Sequence, residues 1–284
     1  MMDPIKLSSK LINFKSITPD KSGSLKYIQK ILEDKKFDCQ LLEFGNKRIG
    51  NLYASLKGGK GPIFCFAGHT DVVPPGDIKN WKTNPFRAEI RKGKLFGRGS
   101  SDMKTAIASF IVATLEFLEK KNSIFNGTIA FLLTADEEGE AEFGTKSVVK
   151  WLKNKKKKID FCLVGEPTNP EKLGEMIKIG RRGSVNFSLD IYGEQGHVAY
   201  PEKAVNPIDY ILKTCKELGK SFDNGSKKFQ PTKLVITSID TLNNVSNLIP
   251  NKANIKFNVR FNDNFKSTEI IKIINDRIKT ICSK

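Results

Sequence analysis

Three short apolar runs, each followed at once by side chains that can bind a metal ion, constrain this chain more than any other feature. The runs are residues 62–67, 128–133 and 159–164. The side chains that follow them are His69 and Asp71, then Glu137 and Glu138, then Glu166. Near-continuous apolar runs of this length are typical of strands covered on both faces of a sheet. Because ligands bind outside the carboxyl ends of the strands in open α/β sheets, we expect these side chains to meet in one crevice.

Helical patterns separate the three predicted strands. Residues 103–121 carry apolar side chains at helical spacing, and residues 144–153 form a second helical stretch. Just before the first of these helices, Asp102 lies in a turn whose glycines permit a tight backbone. Strands that alternate with helices predict an α/β fold with a mainly parallel sheet.

The pattern changes after residue 178. A strand with period-two alternation over residues 184–191 precedes further helices and strands. The helices are predicted at 207–218 and 268–281, and the strands at 233–240 and 253–261. We therefore predict two domains, residues 1–178 and a smaller α+β domain of residues 179–284.

The charge of the chain is misleading as a guide to its partners. The formal net charge is +17, which invites a nucleic-acid interpretation, but 40 of the 48 basic residues are lysine. Recognition of bases and phosphates favours the arginine fork, and the lysine run at 153–158 is typical of a solvated helix end. We expect no nucleic-acid partner.

Other broad classes are also disfavoured. No apolar run approaches the roughly 20 residues that cross a bilayer, so we expect no membrane partner. Residues 1–6 lack a signal-peptide pattern, and the five cysteines are scattered, which is typical of reduced thiols. We expect a cytoplasmic protein.

One histidine with several carboxylates suits zinc or a related divalent first-row metal. His69 is a natural nitrogen ligand, and Asp71 is placed to hold its other ring nitrogen. One of Glu137 and Glu138 can bind a metal ion while its neighbour acts as a general base. Taken singly, a lone histidine is more often a core residue and a glutamate pair a solvated helix start, so the prediction depends on the whole set.

Four motifs in order carry a family resemblance. Residues 68–74, 97–104, 136–139 and 165–168 resemble the co-catalytic zinc amidohydrolases and exopeptidases. In the second domain, residues 180–184, 196–208, 246–250 and 258–261 are most similar to the desuccinylase branch of that family.

This resemblance implies a zinc-exopeptidase-like catalytic domain and a smaller dimerisation or lid domain. It further implies two Zn²⁺ ions per subunit, with Co²⁺ as an alternative, and a cytoplasmic homodimer. The implied reaction hydrolyses the amide of N-succinyl-LL-2,6-diaminopimelate, a small dicarboxylate amide, on the route to lysine and diaminopimelate. An acetylornithine deacetylase-like hydrolase and a non-catalytic dimerising remnant remain alternatives.

The resemblance also implies roles for individual residues. Asp102 would bridge the two ions, His69 and Glu166 would complete one site, and Glu138 would belong to the other. Glu137 would be the general base and Asp71 would support His69. His197 would stabilise the oxyanion in the partner's active site. The residues implied in substrate binding are Arg181, Ser184, Tyr200, Asn247 and Arg260.

The chain departs from the family pattern at one ligand. The pattern includes a last histidine for the second metal ion, yet the only histidine after Glu138 is His197, whose motif assigns it elsewhere. The sequence therefore predicts that the second metal site lacks a protein ligand, that the first domain lacks its C-terminal part, and that such a truncation impairs activity.

Overall fold

The computed structural model describes residues 2–282, except the side chain of Cys282. The chain divides into two compact units, Met1–Glu175 and Met176–Lys284. The assignment of residues 1–178 to catalysis and of residues 179–284 to dimerisation stays a prediction.

Unit 1 contains seven strands and four α-helices among its described residues. The strands are β1 (Asp38–Phe44), β2 (Ile49–Lys57), β3 (Ile63–His69), β4 (Glu89–Arg91), β5 (Lys94–Phe96), β6 (Thr128–Thr134) and β7 (Phe161–Val164). The helices are α1 (Pro4–Ile12), α2 (Ser24–Glu33), α3 (Lys104–Lys120) and α4 (Thr145–Asn154), with a 3₁₀ turn at Ile78–Asn80.

The central sheet of unit 1 has the order β1-β2-β6-β3-β7. β3 pairs in parallel with both β6 and β7, whereas β1 and β2 join in antiparallel fashion. The predicted α/β class is confirmed, and the sheet is mixed. Its parallel part is the one that carries the three apolar runs.

The third apolar run is not the buried strand that its composition predicts. Phe161 and Val164 of β7 are 61% and 53% exposed. The reason is position, because β7 is the last strand in the sheet order and pairs only with β3 among the described residues.

The core of unit 1 lies between this sheet and its helices. Ile107 and Ile111 on α3 are fully buried, in one cluster with Phe66 of β3 and Phe131 of β6. Burying an aliphatic side chain of this size contributes about 1.5–3 kcal/mol, so the apolar face of α3 fixes this helix on the sheet.

Among its described residues, unit 2 contains a three-stranded antiparallel sheet, a short two-stranded sheet and two α-helices. Its strands are β8 (Gly183–Tyr192), β9 (Gly196–His197), β10 (Lys233–Asp240), β11 (Leu248–Ile249) and β12 (Lys252–Phe261). Its helices are α5 (Pro207–Leu218) and α6 (Ser267–Cys282), with a 3₁₀ turn at Pro201–Lys203. The sheet order is β10-β12-β8, and β9 pairs with β11.

Local sequence explains why these elements form. β8 alternates strictly between half-buried and exposed residues, and its half-buried Phe187 stacks on Phe257 of β12. α5 begins at Pro207 because the Asn206 side chain accepts the Ile208 N–H and caps the helix. Across the described residues, no helix combines the length and the apolar character needed to span a bilayer.

Candidate metal centre

The register of the parallel strands brings three separate parts of the chain to one edge of the sheet. His69, the last residue of β3, lies opposite Thr134 at the end of β6. On the other side of β3, Ala67 lies opposite Val164 of β7. The segments that leave β6 and β7 therefore begin next to His69, and these segments carry Glu137 and Glu166.

His69 is the centre of the cluster. Its ring is 1% exposed, and its Nε2 lies 3.0 Å from Asp102 Oδ1, 3.4 Å from a Glu166 oxygen and 3.9 Å from a Glu137 oxygen. Burial alone would lower the pKa of His69, but hydrogen bonds with Asp71 and Glu166 outweigh it and raise this pKa to about 11. In the metal-free protein the ring is therefore protonated, and an ion that binds Nε2 must displace that proton.

Asp71 holds more of the site together than the sequence predicted. The Nδ1 atom of His69 lies 2.9 Å from the backbone oxygen of Asp71 and 3.5 Å from its carboxylate. That carboxylate accepts the backbone N–H groups of Glu137 and Glu138 at 3.0–3.1 Å. Burial would raise the pKa of Asp71, but these hydrogen bonds and the one with His69 lower it, so the group stays ionised.

The remaining carboxylates crowd one another. Burial raises the pKa values of Asp102, Glu137 and Glu138. The charge of Glu166 adds to this effect at Asp102 and Glu137, and the charge of Asp102 adds to it at Glu138. A cation placed among these groups would remove their mutual repulsion.

The donor set fits divalent metal ions. Single ligand atoms of His69, Glu137 and Glu166 lie within 4.8 Å of one another, and so do those of His69, Asp102 and Glu138. Imidazole nitrogen combined with carboxylate oxygen is the donor chemistry of zinc and its first-row neighbours. His69 belongs to both groups, and Glu137, predicted as the base, is a member of one of them.

The other predicted residues lie in unit 2, in three places. Ser184 and Arg260 are partners across the β8–β12 ladder. His197 begins a turn in which it accepts the Tyr200 N–H, while Asn247 accepts the N–H of Val198, the residue after His197. Arg181 is exposed and lies outside any strand. The role of His197 in stabilising the oxyanion and the roles of the other five residues in substrate binding stay predictions.

Sequence reasoning missed the segment that ties the strand ends together. The Asp20 N–H donates to Ala135 O at 2.7 Å, and its carboxylate accepts the Thr70 hydroxyl at 2.9 Å. Ser16 Oγ donates to the backbone oxygen of Thr70 at 2.7 Å. These contacts join the residues after β3 to those after β6. The only local signal was the turn-forming Thr18-Pro19-Asp20, which does not reveal what the turn covers.

Comparison with known proteins assigns the chain to a family. The model of peptidase family M20/M25/M40 matches residues 65–279. Succinyl-diaminopimelate desuccinylase of Wolbachia pipientis wMel is 50% identical over 99% of this chain and 69% of its own length. The enzyme of the same name from Pelagibacter ubique is 51% identical over 99% of this chain and 73% of its own length.

Solved structures agree on the fold. An M20 metallo-carboxypeptidase from Sulfolobus solfataricus superposes with a TM-score of 0.78 at 16% identity, covering 99% of this chain and 76% of its own. A dinuclear metal-binding M20 peptidase from Bacillus subtilis gives 0.63 at 16% identity, covering 99% and 69%. With the family model and the half-identical relatives, these matches show that the chain belongs to peptidase family M20/M25/M40.

Proposed function

We propose that this chain is a metal-dependent amide hydrolase that converts N-succinyl-LL-2,6-diaminopimelate and water into succinate and LL-2,6-diaminopimelate. The observation that carries the proposal is the convergence of Asp102, Glu137 and Glu166 on the Nε2 atom of His69, in a chain half identical to named desuccinylases. Glu138 joins the cluster through His69 and Asp102.

The residues that would hold the metal are His69, Asp102, Glu138 and Glu166. When bound, Zn²⁺ or Co²⁺ supplies Lewis acidity for the amide carbonyl and for the attacking water. Asp71 would orient these side chains, because it holds the His69 ring and the backbone of Glu137 and Glu138 by hydrogen bonds.

Glu137 would move the proton. Its side chain is 51% exposed, so water reaches it, and one of its oxygens lies 3.9 Å from His69 Nε2. Its carboxylate takes a proton from the attacking water as the C–O bond forms. It then gives that proton to the amide nitrogen, and the C–N bond breaks to leave succinate and a free amine.

Replacing Glu137 by glutamine tests this role. Glu137→Gln keeps the shape of the side chain but cannot take a proton, so we expect succinate release to fall about 100-fold or more. The measurement is succinate formed from the succinylated substrate by the Zn²⁺-loaded chain. Glu140→Gln, at an exposed glutamate that pairs with Lys47, is the control and should leave the rate unchanged. Equal rates for wild type and Glu137→Gln would contradict the role of Glu137.

The same assay distinguishes a desuccinylase from the two alternatives, an acetylornithine deacetylase-like hydrolase and a non-catalytic remnant. Arg181 and Arg260 would each bind a substrate carboxylate through two hydrogen bonds. N-succinyl-diaminopimelate offers several carboxylates to these two arginines, whereas N-acetylornithine offers only one. We expect faster turnover of N-succinyl-diaminopimelate than of N-acetylornithine. The opposite preference would favour the deacetylase, and Zn²⁺ uptake without turnover of either compound would favour the non-catalytic remnant.

We further propose a cytoplasmic homodimer in which His197 acts in the active site of the partner. The free thiols of Cys39, Cys65, Cys162 and Cys215 are consistent with a reducing compartment.

Mixing the Glu137→Gln and His197→Ala variants tests whether His197 acts in the partner's active site. A hybrid dimer of the two variants would contain one active site in which both Glu137 and His197 are intact. We expect activity in the mixture that neither variant shows alone. A mixture as inactive as its components, with hybrid dimers present by native mass spectrometry, would refute the exchange.

A further inference from the structure

Met103 is wedged between the two glycines that precede proposed ligands. It follows Asp102 directly, and none of its surface is exposed. A Cβ atom added at Gly68 would lie 2.5 Å from Met103 Cε, and one added at Gly165 would lie 2.8 Å from the same atom. At Gly165 the Phe66 ring comes to 2.5 Å of the same position, so the methionine methyl group shares that space with Phe66, whereas at Gly68 it is the nearest group.

The sulfur of Met103 also contacts the backbone of His69. The His69 N–H donates to Met103 Sδ at 3.4 Å. A thioether is a weak acceptor, but this N–H is buried, where an unmade hydrogen bond is costly. One side chain thus bonds to the backbone at the end of β3 and also fills space where a side chain at Gly165, just after β7, would lie.

The residue that follows Met103, Lys104, is held by several hydrogen bonds. The Lys104 N–H closes the turn by donating to Gly99 O at 2.9 Å. The buried Lys104 ammonium donates to Leu11 O and to Phe14 O, each at 2.9 Å, where α1 ends. Because Lys104 is anchored in this way, Met103 has a fixed base from which to support its neighbours.

From these contacts we propose that Met103 is a positioning residue that sets the spacing of His69, Asp102 and Glu166. The inference rests on the metal centre proposed above. Its physical basis is that a ligand set must be held within about 0.5 Å by packed supporting residues. An unbranched side chain suits the narrow gap between two backbones, and the thioether supplies an acceptor that leucine lacks.

The first test measures metal affinity rather than activity. Wild type, Met103→Ala and Met103→Leu are freed of metal by a chelator and titrated with Co²⁺, whose visible absorption reports the ligand geometry. For Met103→Ala we expect about tenfold weaker Co²⁺ binding or worse, as for lost supporting partners in other metal sites, with altered absorption bands. Met103→Leu keeps the bulk and should bind more tightly than Met103→Ala but with a changed spectrum.

Leu118→Ala is the matched control. Leu118 lies on α3, the helix that Met103 directly precedes, is buried in the same apolar cluster and loses the same number of heavy atoms. It lies far along α3 from the strand ends, so Co²⁺ affinity and spectrum should match wild type. If Met103→Ala and Leu118→Ala bind Co²⁺ alike, the loss reflects general destabilisation and the inference is wrong.

A second test begins with a substitution that adds bulk beside Met103. In Gly68→Ala the new methyl group meets mainly Met103, so we expect weaker Co²⁺ binding. Adding Met103→Ala relieves that clash, and the double variant should lose less affinity than the two single effects combined. Wild-type affinity in Gly68→Ala, or additive losses in the double variant, would overturn the inference. A wild type that takes up no Co²⁺ would instead overturn the metal centre itself, and the inference with it.

Discussion

At the scale of single residues, Asp71 has the largest structural role in the site without being a proposed ligand. Its carboxylate is fully buried and accepts two backbone N–H groups from a turn that lies 66 and 67 residues further along the chain. The two N–H groups have their partner in that one side chain, so the position of Glu137 and Glu138 depends on it.

Replacing Asp71 by asparagine should destabilise the metal-free protein. The asparagine side chain cannot offer two anionic oxygens, and hydrogen bonds to charged groups contribute about 1.5–3 kcal/mol each, so we expect the free energy of unfolding to fall by about 3 kcal/mol. The measurement is urea unfolding at neutral pH.

The stabilisation by Asp71 should also depend on pH, and the pKa of its carboxyl group gives the direction. The folded-state pKa of Asp71 is lowered, so its contribution is present above the unfolded-state pKa, near 4, and is lost as the pH falls through the folded value. The difference between wild type and Asp71→Asn should therefore shrink in acid. Asp38→Asn, at an exposed strand end, is the control and should change little at any pH. A neutral-pH difference no larger than that of Asp38→Asn would show that the turn is held by other contacts.

At the scale of elements, α1 depends on Lys104, the first residue of α3. Burial lowers the pKa of Lys104 to about 8, although the charges of Asp20 and Asp71 oppose this change. The ammonium sits where α1 ends, a place where a cation is favourable because backbone carbonyls point outward there. One side chain thus joins the N-terminal helix to the start of α3, two residues after Asp102.

Lys104→Met should loosen α1 more than the sheet. The variant keeps the apolar stem but loses two charge-assisted hydrogen bonds. Relief from burying the ammonium offsets part of that loss, so we expect about 2 kcal/mol lower stability. Amide hydrogen exchange should speed up in Pro4–Ile12 before it does in β6. Lys120→Met, at the exposed end of α3, is the control. Uniform acceleration over both elements would contradict a local role.

The sequence predicts an element when the residues that determine it lie close together along the chain. β3, β6, α3 and α5 follow from apolar runs, helical spacing and an Asn-Pro cap, all visible in short windows. β1 and β2 went unnoticed because their polar residues and Gly50 break the alternation. The exposure of β7 depends on its place at the sheet edge, which no window reveals.

The same distinction applies to the site. His69 and Glu137 were predictable because they leave apolar runs, and strand ends meet at one edge of a parallel sheet. The support of Asp71 for His69 was also predicted from their spacing. The hydrogen bonds of Asp71 to the Glu137 and Glu138 backbone and the contact of Met103 were not, because they depend on which backbone groups come within hydrogen-bonding distance once the register is set.

At the scale of the whole molecule, the chain should separate into its two units at a single exposed segment. Residues 165–182, between β7 and β8, contain no helix or strand, and residues 171–181 are all exposed. Exposed segments outside regular structure are preferred sites of proteolysis. We expect a low dose of trypsin to cut first after Lys172, Lys178, Arg181 or Arg182, giving two fragments whose masses identify the cut.

The strongest competitor for trypsin is the lysine run at 153–158, and its structure explains why it should be cut later. Backbone hydrogen bonds from residues 155–157 return to the last turn of α4, and the Lys157 ammonium lies over the Tyr53 ring, 5.3 Å from its centroid. When the four basic residues at 172, 178, 181 and 182 are replaced by glutamine, the first cut should therefore come later. Trypsin should not cut the lysine run at 153–158 as fast as it cuts the wild-type segment. An initial cut at 153–158 in the wild type would mean that the end of α4 opens more readily than the segment between the units, and the two-unit description would then need a different boundary.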